Sequence, residues 1–277
     1  MTKNIVAVHD ISCVGRCSLT VALPIISAYG IECRLLPTAL LSTHTGGFTN
    51  FTYLDLTDEM RKIINAWQEL DLQMDGIYSG FMASAEQIDV LKELIALYKD
   101  ADNLSIIDPV MADHGELYSV FDMNFVEKMG ELLPYADVLI PNITEACLLT
   151  DTPYQEGVQS EDFIHMLIEK LQARGAKNVV LTGVMLDEKY IGAAAARNTG
   201  QIDYVLAEKL PGAYHGTGDI FGSVLSAELT SGKTLTAATR EAVDFVVKSI
   251  KNTPKSVDKR YGVEFEQTLK SKRNQEK

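Results

Sequence analysis

From Asn4 to Gly183 the chain alternates short unbroken apolar runs with longer stretches whose apolar residues recur every three to four positions. The short runs are "NIVAVHD", "ECRLLPTAL", "GIYSG", "LSIIDPV", "DVLIPN" and "NVVLTG". Between them lie "LTVALPIISAYG", which stops at Gly30, then "TDEMRKIINAWQEL", "SAEQIDVLKELIALYK", "MNFVEKMGELL" and "SEDFIHMLIEKLQARG". Strands that read as continuous Val/Ile/Leu must be covered on both faces, and intervening helices supply that cover. The pattern therefore predicts an α/β fold with a mostly parallel central sheet and helices on both faces, an α/β/α sandwich. Two stretches break the alternation. "YIGAAAARNTGQIDYVLAEKL" predicts a hairpin around Asn198-Thr199-Gly200, and "LLSTHTGGFTNFTYLDL" a Thr/Gly-rich loop or edge extension. With 277 residues, 46% of them hydrophobic, one domain spanning 1–277 is expected, with 251–277 as a C-terminal helix or tail.

Charge narrows the partners. A net charge of −13 argues against nucleic acid, whose binding domains carry a basic face. Residues 251–277 hold eight basic and four acidic residues, a mixture expected of a solvated final helix rather than a binding arm. Cys13, Cys17, Cys33 and Cys147 have no metal-site spacing and read as free thiols of a reducing compartment. The N-terminus runs straight into a strand pattern, and no apolar run approaches the ~18 residues of a membrane span. A cytoplasmic protein without a membrane partner is expected.

Ligands of open α/β sheets bind beyond the carboxyl ends of the strands. Here those ends read "HDIS", "SGF", "DPV", "PNITE" and "TG". The most informative segment follows them: "GTGD", Gly216-Thr217-Gly218-Asp219, opening a periodic apolar run. The first N–H groups of a helix lack intrahelical partners and carry positive potential, and glycines let an anion reach them. A carboxylate beside such a cradle does not bind phosphate, but it can take a proton from a hydroxyl that attacks one. As an early helical residue, Asp219 also fits a plain helix start. Asp108 ends a strand ahead of Pro109, with Asp113 in the same loop; each serves a ligand crevice or a turn equally well. Asn142 and Glu145 have capping spacing, and are also hard oxygen ligands suited to Mg²⁺ and its waters. Thr182 and Gly183 place a hydroxyl and bare backbone at another strand end. Neither "GxxxxGK[ST]" nor a "GxGxxG" after the first strand is present, which excludes a P-loop and weakens a dinucleotide reading. His9, within a strand, and His165, within a helix, read as packing or surface residues rather than catalytic ones.

Taken in order, "STHT", "SGF", "DPVM", "PNITEA", "LTG" and "GTGD" resemble the ribokinase-like superfamily over roughly residues 4–250. "LLSTHTGG" resembles the "FSNHTGY" stretch of its pyridoxal kinase branch. The resemblance implies an ATP-dependent kinase that phosphorylates the 5′-hydroxyl of a vitamin B6 vitamer. It implies Asp219 as the base and Gly216, Thr217 and Gly218 as the anion hole. Asp108 and Glu145, with Asn142 nearby, would organise Mg²⁺ and ATP phosphates, mainly through water. Thr182 would touch the phosphates, Asp113 would lie in a closing loop, and His44 and Thr45 would bind or cover the pyridine ring. The hairpin at 190–210 would border the adenine. A homodimer is implied, and a monovalent-cation requirement is left open.

Two positions depart from that branch: Asp10 stands where Ser is usual, and Phe81 where Tyr is common. Both bear on which vitamer is preferred. The competing readings are hydroxymethylpyrimidine (phosphate) kinase, which often carries Cys at the position of Asp219; a ribokinase-fold dehydratase of hydrated nicotinamide nucleotides; and a non-catalytic binder of pyridoxal 5′-phosphate.

Overall fold

The computed structural model describes residues 2–275 apart from Asp71, Ala101 and Ala213, and only the backbone of 272–275. The end of the expected tail, Glu276 and Lys277, lies outside the described residues. The chain begins β1 (Asn4–Ser12), α1 (Leu19–Ala28), β2 (Glu32–Leu41), β3 (Tyr53–Asp55), α2 (Thr57–Gln68), β4 (Gly76–Ser79) and α3 (Ala85–Tyr98). It continues β5 (Leu104–Ile107), β6 (Ala112–Asp113), β7 (Glu116–Leu117), α4 (Met123–Gly130), β8 (Val138–Leu139), α5 (Ile143–Leu149) and α6 (Glu161–Ala173). The last elements are β9 (Asn178–Val184), β10 (Tyr190–Ala196), β11 (Ile202–Glu208), α7 (Thr217–Thr230), α8 (Leu235–Asn252) and α9 (Glu266–Gln275).

Nine strands form one sheet in the order β11-β10-β9-β8-β5-β4-β1-β2-β3. The six from β2 to β9 run parallel; β3 at one edge and β10 at the other run against them, and β11 pairs antiparallel with β10. The alternation of apolar runs thus becomes the expected α/β/α sandwich, and the hairpin turns where Asn198-Thr199-Gly200 predicts. One face carries α2 to α6 over a core that includes Val6, Val8, Ile77 and Leu94. The other carries α1, α7 and α8 over Ile5, Ala7, Tyr78 and Val224. Successive residues of β1 therefore serve opposite cores, as the two-residue strand period requires.

The chain winds outward from β1 through β2 to β3, then returns on the other side of β1 as β4. Strand order reverses between β1 and β4, which opens a crevice beyond their carboxyl ends. Asp10, Gly80 and Phe81 stand at this opening.

Two features differ from expectation. β6 and β7 form a small separate hairpin that turns at His114 (φ 52°) and Gly115 (φ 82°), the paired positive φ of a tight primed turn. Two-residue strands are too short to show alternation in sequence. The second difference is the tail. Val263 and Phe265 are buried against α8 and its neighbours, and residues 260–261 bond to the loops at Arg16 and His44, so this stretch is not a solvated helix throughout.

Candidate active site

Gly216 caps α7 in the left-handed conformation (φ 76°), and a Cβ there would lie 2.0 Å from the Arg16 carbonyl oxygen. Only glycine satisfies both constraints. Gly218 is different: a Cβ there meets nothing within 4 Å, so the space in front of the first α7 N–H groups is open. The helix expected to open at "GTGD" does so, with open space before its first N–H groups.

Asp219 stands in the first turn behind that space. Part of its surface stays open to the crevice, but protein surrounds the carboxyl and burial pushes its pKa up to about 7. A hydrogen bond from the Ser18 backbone N–H opposes the rise, and the Asp10 charge adds to it. A carboxylate poised near neutrality suits general-base catalysis.

Asp108 and Glu145 are buried side by side, 8% and 3% exposed. Burial raises Asp108 well above the ordinary carboxylate range, and the charges of Glu145 and Asp219 raise it further. Burial likewise takes Glu145 to about 8, against hydrogen bonds donated by the backbone N–H groups of Asn142 (2.9 Å), Met111 (3.1 Å) and Ala112. Glu145 is thus a joint that ties the "DPVM" loop to the start of α5. Asn142 completes the capping box: its side chain accepts from Glu145 N–H at 2.9 Å and donates to the Ala112 carbonyl at 2.7 Å. Both ends of its amide are in use, so its place here is structural as the spacing allowed.

Asp113 is exposed on the β6–β7 hairpin. Its charge raises both Glu145 and Tyr118, which places the hairpin beside the acidic floor. The Thr182 hydroxyl donates to the Pro141 carbonyl at 3.3 Å, and Gly183 (φ 75°) has open space where a Cβ would be.

Asp10, 5% exposed, stands near the carboxyl end of β1. Ser12 donates to one of its oxygens at 2.8 Å and Ser18 to the other. Burial raises Asp10, while these hydroxyls and His44 lower it. Phe81 faces Phe121 (ring centroids 5.6 Å apart), which stacks on Phe125. This phenylalanine joins an aromatic wall toward α4.

Residues 44–48 form a loop held by the C-terminal segment. Gly46 N–H donates to His44 Nδ1 at 3.1 Å, so the proton is on Nε2, which donates to the Arg260 carbonyl at 2.6 Å. Phe48 packs edge-on to Tyr261 and lies under the Arg260 guanidinium. Arg16 N–H donates to the Tyr261 carbonyl at 3.0 Å. His215 lies 5.1 Å from the His44 ring and Thr45 is half-buried in this loop.

The structure therefore brings Asp10, Asp108, Glu145 and Asp219 around one crevice, with Asp113 at its rim. It adds residues that sequence reasoning missed. Tyr118 is the clearest: although 38% of its surface is exposed, partial burial raises its phenol first, and the charges of Glu145, Asp113, Asp108 and Asp219 add to the rise. Only its place after the "DPV" loop could have hinted at it. Ser12 and Ser18 were hidden among ordinary serines. The described residues hold no group of three or more His, Cys, Asp or Glu able to form a metal cage. Two buried carboxylates still fit a cation that arrives with phosphate oxygens of its own.

Comparison with known proteins bears directly on this geometry. The family model described as phosphomethylpyrimidine kinase matches residues 23–264. A provisionally named phosphomethylpyrimidine kinase of Bacteroides thetaiotaomicron, crystallised with pyridoxal, superposes with TM-score 0.93 at 37% identity, covering 98% of this chain and 96% of that one. Pyridoxal kinase of Lactobacillus plantarum superposes with TM-score 0.90 at 32% identity, covering 98% and 96%. A provisionally named pyridoxal kinase of Schizosaccharomyces pombe is 26% identical over 205 residues, 71% of this chain and 59% of that protein, so the match spans little more than half of that relative.

Fold and relatives together define a ribokinase-like phosphotransferase. The chain belongs to the phosphomethylpyrimidine kinase family, with pyridoxal kinases among its structural neighbours. Among the described residues no helix is long and apolar enough to cross a membrane.

Proposed function

We propose that this kinase transfers the γ-phosphoryl group of ATP to the 5′-hydroxyl of a vitamin B6 vitamer. The observation that carries the reading is Asp219, held near neutrality directly behind an open helix-start cradle. The pyridoxal-bound Bacteroides relative supports the acceptor class. Asp219 accepts the hydroxyl proton as the substrate oxygen forms its bond to the γ-phosphorus. The bond from that phosphorus to the bridging oxygen breaks, and ADP leaves with the electron pair. N–H groups at Gly216, Thr217 and Gly218 face the charge on the transferring group, an arrangement that stabilises it without reorganisation. Mg²⁺, when bound, neutralises phosphate charge; Asp108 and Glu145 would hold it, mainly through water. Thr182 and Gly183 flank the phosphates, and Asp113 borders them from its hairpin.

The family model supports a second reading, hydroxymethylpyrimidine (phosphate) kinase, in which the same base serves a pyrimidine alcohol. A coupled ADP-release assay with pyridoxal, pyridoxamine, pyridoxine and hydroxymethylpyrimidine separates the two. Faster turnover of the pyrimidine than of every vitamer would overturn the first.

Asp10 governs vitamer choice under this reading. Its oxygens each accept a serine hydroxyl and each keep a lone pair for a donor on the ring. Asp10→Ser should lower kcat/KM for pyridoxamine relative to pyridoxal by about tenfold, the worth of one charge-assisted hydrogen bond of about 1.5–3 kcal/mol. An unchanged ratio would remove Asp10 from selectivity.

The loop at 44–48, read as a lid, gives a separate expectation. His44→Ala removes both hydrogen bonds that tie the lid to Arg260 and orient Gly46. Acceptor KM should rise about tenfold while ATP KM holds, since the lost bonds lie on the acceptor side. Initial rates with each substrate varied in turn would show it; an unaltered acceptor KM would mean that the lid does not cover the acceptor.

A further inference from the structure

At the point where strand order reverses, β1 and β4 pair in parallel and present His9 and Tyr78 toward α7. Both side chains are 0% exposed, with ring centroids 4.4 Å apart in an edge-on contact. The Tyr78 hydroxyl and both His9 nitrogens have no ordinary hydrogen-bond partner among the described residues. A Phe–Leu pair would fill this volume without stranding polar atoms, so the hydroxyl calls for an explanation.

Two glycines make room for the pair. A Cβ on Gly80 would lie 2.2 Å from His9 Nδ1, and a Cβ on Gly222 would lie 2.2 Å from Tyr78 Oη. Gly222 and Ser223 follow Asp219 by three and four positions, one helical turn. Ser223, itself 0% exposed, is the polar neighbour of the phenol, and its hydroxyl donates to the Asp219 carbonyl oxygen at 2.5 Å. The charges of Asp108 and Asp219 both act on the phenol. Tyr78 thus stands beneath the acidic floor and against the turn that carries the base.

We infer that Tyr78 is a positioning residue of the phosphoryl-transfer site: its hydroxyl, backed by His9 and seated in the notch at Gly222, holds the first turn of α7 so that Asp219 keeps its place relative to Asp108. This role rests on the reading of Asp219 as the base. Tyr78 touches neither substrate; it acts through Ser223 and the Asp219 backbone. Displacement of a catalytic group by a fraction of an ångström lowers the rate of the chemical step without weakening binding.

The test compares the parent with Tyr78→Phe, Ser223→Ala and the double variant. Tyr78→Phe keeps the ring and removes the hydroxyl alone. The expected result is a fall in kcat of about ten- to a hundredfold with KM for ATP and vitamer within twofold of the parent. The melting temperature should stay close to that of the parent, because the ring keeps its packing and only the hydroxyl contact is lost. The double variant should be no slower than the slower single one, since both act through one contact. Ser223→Ala carries the test by itself if the phenylalanine variant fails to fold. An active parent with kcat for Tyr78→Phe within twofold, or single effects that multiply in the double variant, would overturn the role of Tyr78 alone. A parent inactive on every vitamer and pyrimidine would sink the functional reading, and this role with it.

Discussion

Asp219→Asn should lower kcat by about 10²–10⁴-fold, the usual worth of a general base, while ATP still binds. The swap keeps the shape of the side chain and leaves the N–H groups of the α7 cradle in place. Because burial takes the Asp219 carboxyl to about 7, the parent should lose activity below about pH 7 as the base becomes protonated, and the variant's residual rate should lack that limb. Stability should move the other way. An acid whose folded pKa is raised binds its proton more tightly when folded, so its ionisation weakens the fold as pH rises from the unfolded value through about 7. The Asn variant should therefore melt higher than the parent at pH 8, with the difference vanishing at acid pH. A plain helix-start role predicts the reverse pair: near-normal turnover and a loss of about 1 kcal/mol. Rates and melting curves on one preparation decide between them, and kcat within a few-fold of the parent would remove Asp219 from the mechanism.

Withdrawal of divalent metal should abolish turnover, and Asp108→Asn should cut it by about a hundredfold. Asp108 and Glu145 share a buried site: burial is the first cause of the rise for both, the Glu145 charge adds to it at Asp108, and the Asp113 charge adds to it at Glu145. Such a pair is unfavourable when ionised without a cation and favourable with one. Hence Mg²⁺ with nucleotide should raise the melting temperature more at pH 8 than at pH 5.5. Asp108→Asn should itself stabilise the ligand-free protein at pH 8 while reducing that increment. Glu145→Gln should weaken the Mg²⁺ response as well. It should also cost stability, because its carboxylate accepts the Asn142 and Met111 N–H groups that an amide nitrogen would repel. Full activity in excess EDTA would end the metal assignment, whatever the variants do.

Much of the fold was legible in the one-dimensional pattern, since strand and helix periods are local properties of the chain. The unbroken apolar runs became β1, β2, β4, β5 and β9, and Gly30 ended α1 at a positive φ. The stretches without a period were harder. The β6–β7 hairpin rests on two residue pairs, and the carbonyls of Arg260 and Tyr261 take hydrogen bonds from His44 and Arg16, more than two hundred residues earlier. Tyr118 and Tyr78 looked like any tyrosine near a strand. Their place beside four carboxylates, or beneath the base, follows only from packing.

By itself the sequence determined the alternating α/β architecture, the polar strand ends and the helix start at "GTGD", because each depends on residues close together in the chain. Tertiary structure decided which of those polar groups share a site and in what protonation state. Gly216 is an open turn in sequence; it becomes obligatory only because the Arg16 carbonyl passes 2.0 Å from where its Cβ would stand. Asp219 is an ordinary acid in the chain, and its pKa rises to about 7 only because sheet and loops exclude water around it. Burial and the approach of distant charges are sums over the folded molecule, and no window of the sequence contains them.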